Sequence, residues 1–140
     1  MVAVGTCCCT MSPCCECSSY PNQYTVMVSG VTNGSGCTAS DCSSALNGTI
    51  LLTQFTSDPS CQWRSAFHSL CERGDVAYLL ACQSSRQVWQ LINGCDLSTC
   101  VAVYEVPAVS WSCLGTNTLT LVSTLTICTG WPSSLIVVPG

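Results

Sequence analysis

The chain has 140 residues, enough for one domain, and few are charged: seven Asp or Glu and three Arg. With no Lys and a net charge of -4, it offers no basic surface to the phosphates of nucleic acid or to an anionic membrane. Cysteine is far more frequent than usual, at 15 residues, and an apolar fraction of 48% excludes a disordered chain. The composition therefore predicts a folded, cysteine-rich protein without a nucleic-acid or membrane partner.

The first 21 residues differ in composition from the rest of the chain. They contain six Cys and two Pro but almost no large apolar side chains, so they cannot build a core of their own. We interpret residues 1–21 as an extended Cys-rich N-terminal arm and residues 22–140 as the folded domain. Neighbouring side chains on an extended chain point to opposite sides, so the adjacent Cys7, Cys8 and Cys9 are suited to joining several segments or several chains.

Residues 22–140 have the pattern of eight short strands separated by turns. Tyr24, Val26 and Val28 alternate with smaller or polar neighbours, which is typical of a half-buried strand. Pairs such as Asn47-Gly48 and Asn93-Gly94 favour tight turns between strands. The predicted class is all-β: a single disulfide-rich β-sandwich, with a jelly roll as one form of it, and almost no helix. The predicted strands are, in chain order, 24–28, 48–55, 61–66, 75–82 (strand or short helix), 86–92, 99–106, 117–123 and 134–138.

We expect the core of this sandwich to be built from large apolar side chains of the strands. The predicted core residues are Val26, Val28, Leu51, Trp63, Leu79, Trp89, Val101, Val103, Leu119, Leu121, Ile136 and Val138.

All the cysteines are disulfide candidates, but their total is odd, so at least one is free or bonds another chain. The preferred pair is Cys113 with Cys128, which closes a loop worth roughly 3 kcal/mol in the chain-entropy model. Cys37 with Cys42 and Cys95 with Cys100 would close small turns, or each cysteine would instead reach across the sandwich. The candidates are Cys7, Cys8, Cys9, Cys14, Cys15, Cys17, Cys37, Cys42, Cys61, Cys71, Cys82, Cys95, Cys100, Cys113 and Cys128.

The cysteine content conflicts with the start of the sequence. Disulfides persist in oxidising surroundings, yet residues 1–6 have neither the basic start nor the long apolar stretch of a signal peptide. Metal binding in the cytosol, an unusual export route, or oxidation after a particle is released by lysis would each resolve the conflict. We favour the last, because it requires no missing signal.

Residue patterns for chemistry are weak, and we predict no enzyme, no cofactor and no metal. Zinc at Cys14, Cys15 and Cys17 lacks the usual paired spacing. His68 and Cys71 are close in sequence, but a thiol nucleophile requires proximity in space. The acidic residues show no paired pattern suited to hydrolysis.

Three further motifs have both a functional and a structural interpretation. Tryptophans on strands could line a sugar-binding face, but filling the core is the favoured interpretation. Arg73-Gly74-Asp75 resembles an integrin-type tripeptide and is better explained as a turn. Asn33-Gly34-Ser35 and Asn47-Gly48-Thr49 are formal glycosylation sequons. The tryptophans are Trp63, Trp89, Trp111 and Trp131.

The sequence also resembles a known type of module. The resemblance covers roughly residues 24–139 and is carried by Val28-Ser-Gly-Val-Thr-Asn-Gly34, Cys42-Ser-Ser-Ala-Leu-Asn-Gly-Thr49, Cys61-Gln-Trp63, Cys113-Leu-Gly-Thr-Asn-Thr-Leu-Thr-Leu-Val-Ser123, Cys128-Thr-Gly-Trp-Pro132 and Ile136-Val-Val-Pro139. The module is a cysteine-rich β domain that recurs in proteins of planctomycetes and related environmental bacteria and in some tailed-phage genomes. The arm resembles the leader of such modules. The resemblance implies an extracellular or virion β module and brings no catalytic residues.

Together these observations predict a non-enzymatic structural protein of a virus particle. The first choice is a small capsid cement or decoration protein of a tailed phage, with a tail component as the variant, stabilised by disulfides and located in the virion. Its expected partners are other virion proteins, of capsid or tail, and copies of itself, joined through the arm. The alternatives are an extracellular bacterial surface or matrix module and a carbohydrate-binding β-sandwich whose exposed Trp side chains bind a glycan.

Overall fold

The structure is a computed structural model, and it describes residues 21–35, 41–54, 62–71, 73–83, 85–95 and 99–140. Within these residues there is one short helix, α1 (Asp41–Leu46), and one 3-10 turn (Ala108–Ser110). The strands are β1 (Gln23–Val28), β2 (Thr32–Asn33), β3 (Gly48–Gln54), β4 (Gln62–Arg64), β5 (His68–Leu70), β6 (Gly74–Val76), β7 (Tyr78–Gln83), β8 (Val88–Asn93), β9 (Ala102–Pro107), β10 (Asn117–Thr124), β11 (Cys128–Thr129) and β12 (Ser134–Pro139).

Eight of these strands close into an antiparallel barrel in the order β1-β12-β10-β9-β8-β7-β4-β3. Closure occurs because β1 pairs on one side with β12, Val26 opposite Val137, and on the other with β3, Val26 opposite Ile50. The all-β class is confirmed, and the eight barrel strands correspond to the eight predicted ones. The sheet is a closed barrel rather than the predicted sandwich. Inward and outward residues alternate along each strand in both architectures, so the sequence pattern does not distinguish them.

Inward-facing aromatic side chains pack across one end of the barrel. Trp89 stacks on Trp111 with ring centroids 4.3 Å apart, and Trp63 lies 5.9 Å from Trp89. Tyr24 meets Trp63 and Trp111 edge to face, at 5.1 and 5.8 Å. The Trp63 Nε1–H donates to the Pro21 carbonyl, and the Tyr24 hydroxyl donates to the Cys113 carbonyl. These contacts fix the segments that enter and leave the barrel at this end.

Several apolar residues that were predicted to lie in the core face outward instead. Val26, Val28, Trp63, Trp89, Val101 and Leu119 are buried as predicted, and Leu121 is partly buried. The error comes from strands with apolar residues at consecutive positions, where the side chain one position away, such as Leu52, Leu80 or Val137, is the buried one. The predicted core residues that do not belong to the buried core are Leu51, Leu79, Val103, Ile136 and Val138.

The opposite end of the barrel is covered by small elements that the sequence did not predict. Strands β2 and β11 form a short ribbon, β5 and β6 form a second one, and α1 contacts both β2 and β5. Gly130, with φ +80°, lies directly against the Gly30 carbonyl, and a Cβ there would overlap that oxygen. The Cys42 N–H at the start of α1 donates to Asn33 Oδ1 at 2.9 Å, so the ribbon caps the helix.

The cysteines within the described residues are all disulfide-bonded. Cys42 on α1 bonds Cys128 on β11, so the preferred Cys113–Cys128 pair is wrong, and Cys37 does not pair with Cys42. Of the two alternatives left open for Cys95 and Cys100, the structure has the local pair, Cys95–Cys100. Cys71, Cys82 and Cys113 are also disulfide-bonded. The arm, apart from Pro21, lies outside the described residues, and the candidates there and in the gaps are Cys7, Cys8, Cys9, Cys14, Cys15, Cys17, Cys37 and Cys61.

The barrel register makes a prediction for two adjacent leucines of β3. Leu52 is 0% exposed and Leu51 is 51% exposed. We expect Leu52→Ala to lower the free energy of unfolding by about 2–5 kcal/mol, because it leaves a cavity in the core, and Leu51→Ala by less than about 1 kcal/mol. Chemical denaturation of both variants measures the difference. Equal losses would show that the register is wrong.

The Cys42–Cys128 and Cys95–Cys100 disulfides should differ in their contribution to stability, because they close loops of very different length. The sequence separation is 86 for Cys42–Cys128 and 5 for Cys95–Cys100. In the chain-entropy model the long loop is worth about 4–5 kcal/mol and the short one about 2 kcal/mol. We therefore expect the Cys42→Ala/Cys128→Ala pair to lower the melting temperature about twice as much as Cys95→Ala/Cys100→Ala. Calorimetry of both double variants checks the order, which a larger loss for the short loop would contradict.

Candidate interaction surface

The outer face of four neighbouring barrel strands carries no charge. Strands β10, β12, β1 and β3 contain no Asp, Glu, Lys or Arg, and their outward positions are occupied by Gln, Thr, Ser and large apolar residues. We call this surface the uncharged wall and define it by the outward side chains of these four strands. The large exposed apolar side chains on it are Met27, Leu51, Val122, Ile136 and Val138.

Strand register places these apolar side chains beside smaller ones. Val138, Thr25 and Leu51 lie side by side across β12, β1 and β3. In the next outward row, Met27 lies opposite Thr49 on β3, and Ile136 lies opposite Thr118 on β10. The surface therefore alternates between ridges of Met, Ile or Leu and notches at Thr.

Two shallow grooves extend this relief. One, of about 400 Å³, runs between β1 and β12 and is lined by Met27, Ser134, Ile136 and Val138 among others. The other, of about 320 Å³, separates Leu51 from Phe67 in the segment after β4. Phe67 is largely exposed, and the Arg64 guanidinium lies 4.7 Å from its ring centroid. The apolar surface thus continues past β3 and ends at a cation.

The charged side chains within the described residues lie elsewhere. Arg86 forms a two-contact ion pair with Glu105, at 2.6 and 3.0 Å. Glu105 lies on β9 opposite Thr120 of β10, so the pair borders one edge of the uncharged wall. Gln90 also donates to Glu105, at 2.7 Å. Burial raises the pKa of Glu105, but hydrogen bonds from Arg86 and Gln90 outweigh it and hold that pKa below its usual range. Charges therefore border both edges of the uncharged wall, with Glu105 beside β10 and Arg64 opposite Thr53 of β3, but none lies on its four strands.

The only histidine of the sequence, His68, packs against neighbouring side chains of the fold. Asn93 Nδ2 lies 3.3 Å from His68 Nε2, and the Tyr78 ring centroid is 6.0 Å from that of His68. Burial lowers the pKa of His68, and a hydrogen bond to Ala66 opposes that shift. Cys71 is disulfide-bonded and offers no thiol, so the His68–Cys71 pair cannot act as a thiol nucleophile with its base.

The four tryptophans do not form a sugar-binding face. All are buried, which confirms the core interpretation and removes the basis of the exposed-Trp carbohydrate hypothesis. The members are Trp63, Trp89, Trp111 and Trp131.

The remaining motifs of the sequence also have structural roles. The Asn47 Nδ2 donates to the carbonyls of Val31 and Ser43, and its Oδ1 accepts from the Val31 N–H. The side chain therefore joins the end of α1 to the chain after β1. Arg73 and Gly74 lie in and beside the turn of the β5–β6 hairpin, as predicted, and Asp75 accepts a hydrogen bond from Ser69.

No group of three or more metal-ligating side chains converges within the described part of the chain. No helix there has the length and apolar character needed to cross a membrane. The comparisons with known proteins found no match to a family model, a curated protein or a solved structure.

The uncharged wall was not predicted, although the sequence contains a signal for it. Consecutive apolar residues in Ile50-Leu51-Leu52 and Leu135-Ile136-Val137-Val138 exceed what one buried face can use. One of every two must then be exposed, because successive side chains of a strand point to opposite faces. Combined with the lack of charge in residues 106–140, this pattern predicts an apolar outer surface.

The lowered pKa of His68 predicts a pH dependence of stability. A histidine whose pKa is lower in the folded state than its ordinary 6.5 binds its proton more readily in the unfolded chain. The free energy of unfolding should therefore fall as the pH drops below about 6.5, and level off once the folded state is also protonated. His68→Gln should remove this slope between pH 7 and 5.5.

Urea denaturation across this pH range measures the effect. Glu105→Gln serves as the control, because the pKa of Glu105 is lowered from 4.5 and its contribution is lost only at more acidic pH. An unchanged slope in the His68 variant would contradict the assignment.

Proposed function

We propose that this protein is a non-enzymatic structural component of a virus particle, in first place a small cement or decoration protein on the capsid of a tailed phage. The observation that supports the proposal best is the combination of a closed, covalently braced barrel with an uncharged apolar outer wall. Such a module is suited to adhering to another protein surface and resisting unfolding there.

The disulfides support a location outside a reducing cytosol. Every cysteine of the described residues is oxidised, and oxidised cysteines persist in secreted proteins and at virion surfaces. Cys42–Cys128 braces the covered end of the barrel. The resemblance to cysteine-rich modules of phages and planctomycetes favours the same two locations, the virion and the bacterial surface.

The interior of the barrel favours a passive role over ligand transport. An eight-stranded barrel can either enclose a small ligand or be filled by its own side chains. Here Trp63, Trp89 and Trp111 pack against one another in the interior. Recognition is therefore proposed to take place on the outer surface, with capsid or tail proteins as partners.

Localisation by antibody tests the proposal. Antibodies raised against the purified chain are applied to density-purified particles and to cells of the producing culture. We expect labelling to co-sediment with particles and to persist through a high-salt wash, because the proposed contact is apolar and is not screened by salt. Gold particles should then mark the capsid shell, or the tail for the variant form.

Labelling of the cell envelope without particles would contradict the virion role and favour the alternative, an extracellular bacterial surface or matrix module. Recovery of the chain in the cytosol with free thiols would contradict both. Binding of the purified chain to a glycan array would favour a carbohydrate-binding module that uses residues other than the buried tryptophans.

A further inference from the structure

We propose that the uncharged wall is a self-association surface, on which a second copy of this chain packs sheet against sheet about a twofold axis. The proposal concerns the isolated protein and does not depend on the virion role.

The distribution of charge on the chain favours a second copy of it as the partner that binds the uncharged wall. The whole chain carries a net charge of -4, so two copies repel each other over most of their surfaces. The four strands of the wall contain no charged residue, and the charges at its two edges, Arg64 and the Arg86–Glu105 pair, fall at the rim of such a contact. A strongly charged partner would find no countercharge on these strands, whereas a second wall requires none and leaves no ion to desolvate.

The shape of the wall allows two copies of it to pack face to face. Met27 and Ile136 lie on β1 and β12, the two central strands, and both flank the groove of about 400 Å³ between these strands. The outward neighbours Thr49 and Thr118 are smaller and leave notches. A twofold axis near the centre can therefore place the ridge of one copy into the groove or notch of the other, as the side chains of packed sheets interdigitate.

The size of the wall sets the expected strength. Four strands about 4.8 Å apart, with about 3.4 Å per residue, span roughly 15 Å by 20 Å. Standard interfaces bury about 800 Å² on each partner, and obligate dimers bury more. The wall therefore suits a weak dimer that depends on concentration, and it does not suit an obligate one.

Sedimentation of the full-length chain tests the proposal, with free thiols blocked, from roughly 5 µM to roughly 500 µM. We expect a monomer–dimer equilibrium that is insensitive to salt. Met27→Glu and Ile136→Glu should each raise the dissociation constant at least about tenfold, because like charges then face each other across the axis. The matched control is Val109→Glu, since Val109 is 78% exposed but lies outside the wall. This variant should leave the equilibrium unchanged.

A charge-swap experiment separates the proposed contact from misfolding. A mixture of Met27→Glu with Met27→Lys should associate more tightly than either variant does alone, since opposite charges then meet near the axis. The near-ultraviolet circular dichroism of the buried tryptophans should be the same in all variants, which confirms that each is folded.

Three results would overturn the proposal. The first is a monomer at every concentration. The second is equal weakening by Val109→Glu and Met27→Glu. The third is a dimer that disappears on reduction and survives Met27→Glu, which would place the contact at an interchain disulfide instead.

Discussion

The double pairing of β1 determines the rest of the structure. This strand bonds β12 on one side and β3 on the other, and so converts a row of antiparallel hairpins into a closed barrel without exposed edges. Val26 faces inward, and Val137, its register partner on β12, does so as well. Val26 also lies opposite Ile50 on β3, so Leu52, two residues further along that strand, is buried too. A shift by one residue would exchange the core with the solvent-facing surface. Closure therefore fixes at the same time which apolar side chains are buried and which form the uncharged wall.

The aromatic packing and the closed barrel reinforce each other. The stacked Trp89 and Trp111 come from β8 and from the segment after β9, so their contact ties the connection between β9 and β10 to the interior. At the other end, the Tyr78 hydroxyl donates to the Leu46 carbonyl of α1, and the Tyr104 hydroxyl donates to the Pro132 carbonyl. Burial raises the pKa of Tyr104 to about 12 and that of Tyr78 further. Both tyrosines thus remain neutral donors at neutral pH.

The sequence predicted the positions of the eight barrel strands. It predicted neither the closure of the barrel nor, for several strands, which side chains point to the core. Thr118, Leu119 and Thr120 alternate clearly, and Leu119 was assigned to the core correctly. Leu51 and Ile136 were assigned wrongly, because their neighbours are equally apolar and periodicity carries no information there. The Cys42–Cys128 pairing could not be predicted for a different reason: the two cysteines are separated by 86 residues, and their proximity depends on how α1 and β11 are placed in the folded barrel. The wall, as a property of several strands at once, required the register.

The hydrogen bonds of Asn47 have a practical consequence for producing the protein. Both amide hydrogens of this side chain are used, on the carbonyls of Val31 and Ser43. An N-linked sugar replaces one of those hydrogens with a bulky substituent, and Asn47-Gly48-Thr49 is an acceptor sequence for that reaction. In a eukaryotic secretory host, the modifying enzyme acts on the emerging chain before this pocket forms. Glycosylation and folding then compete for the same nitrogen, so a bacterial periplasm, which oxidises cysteines without this modification, is the more suitable host.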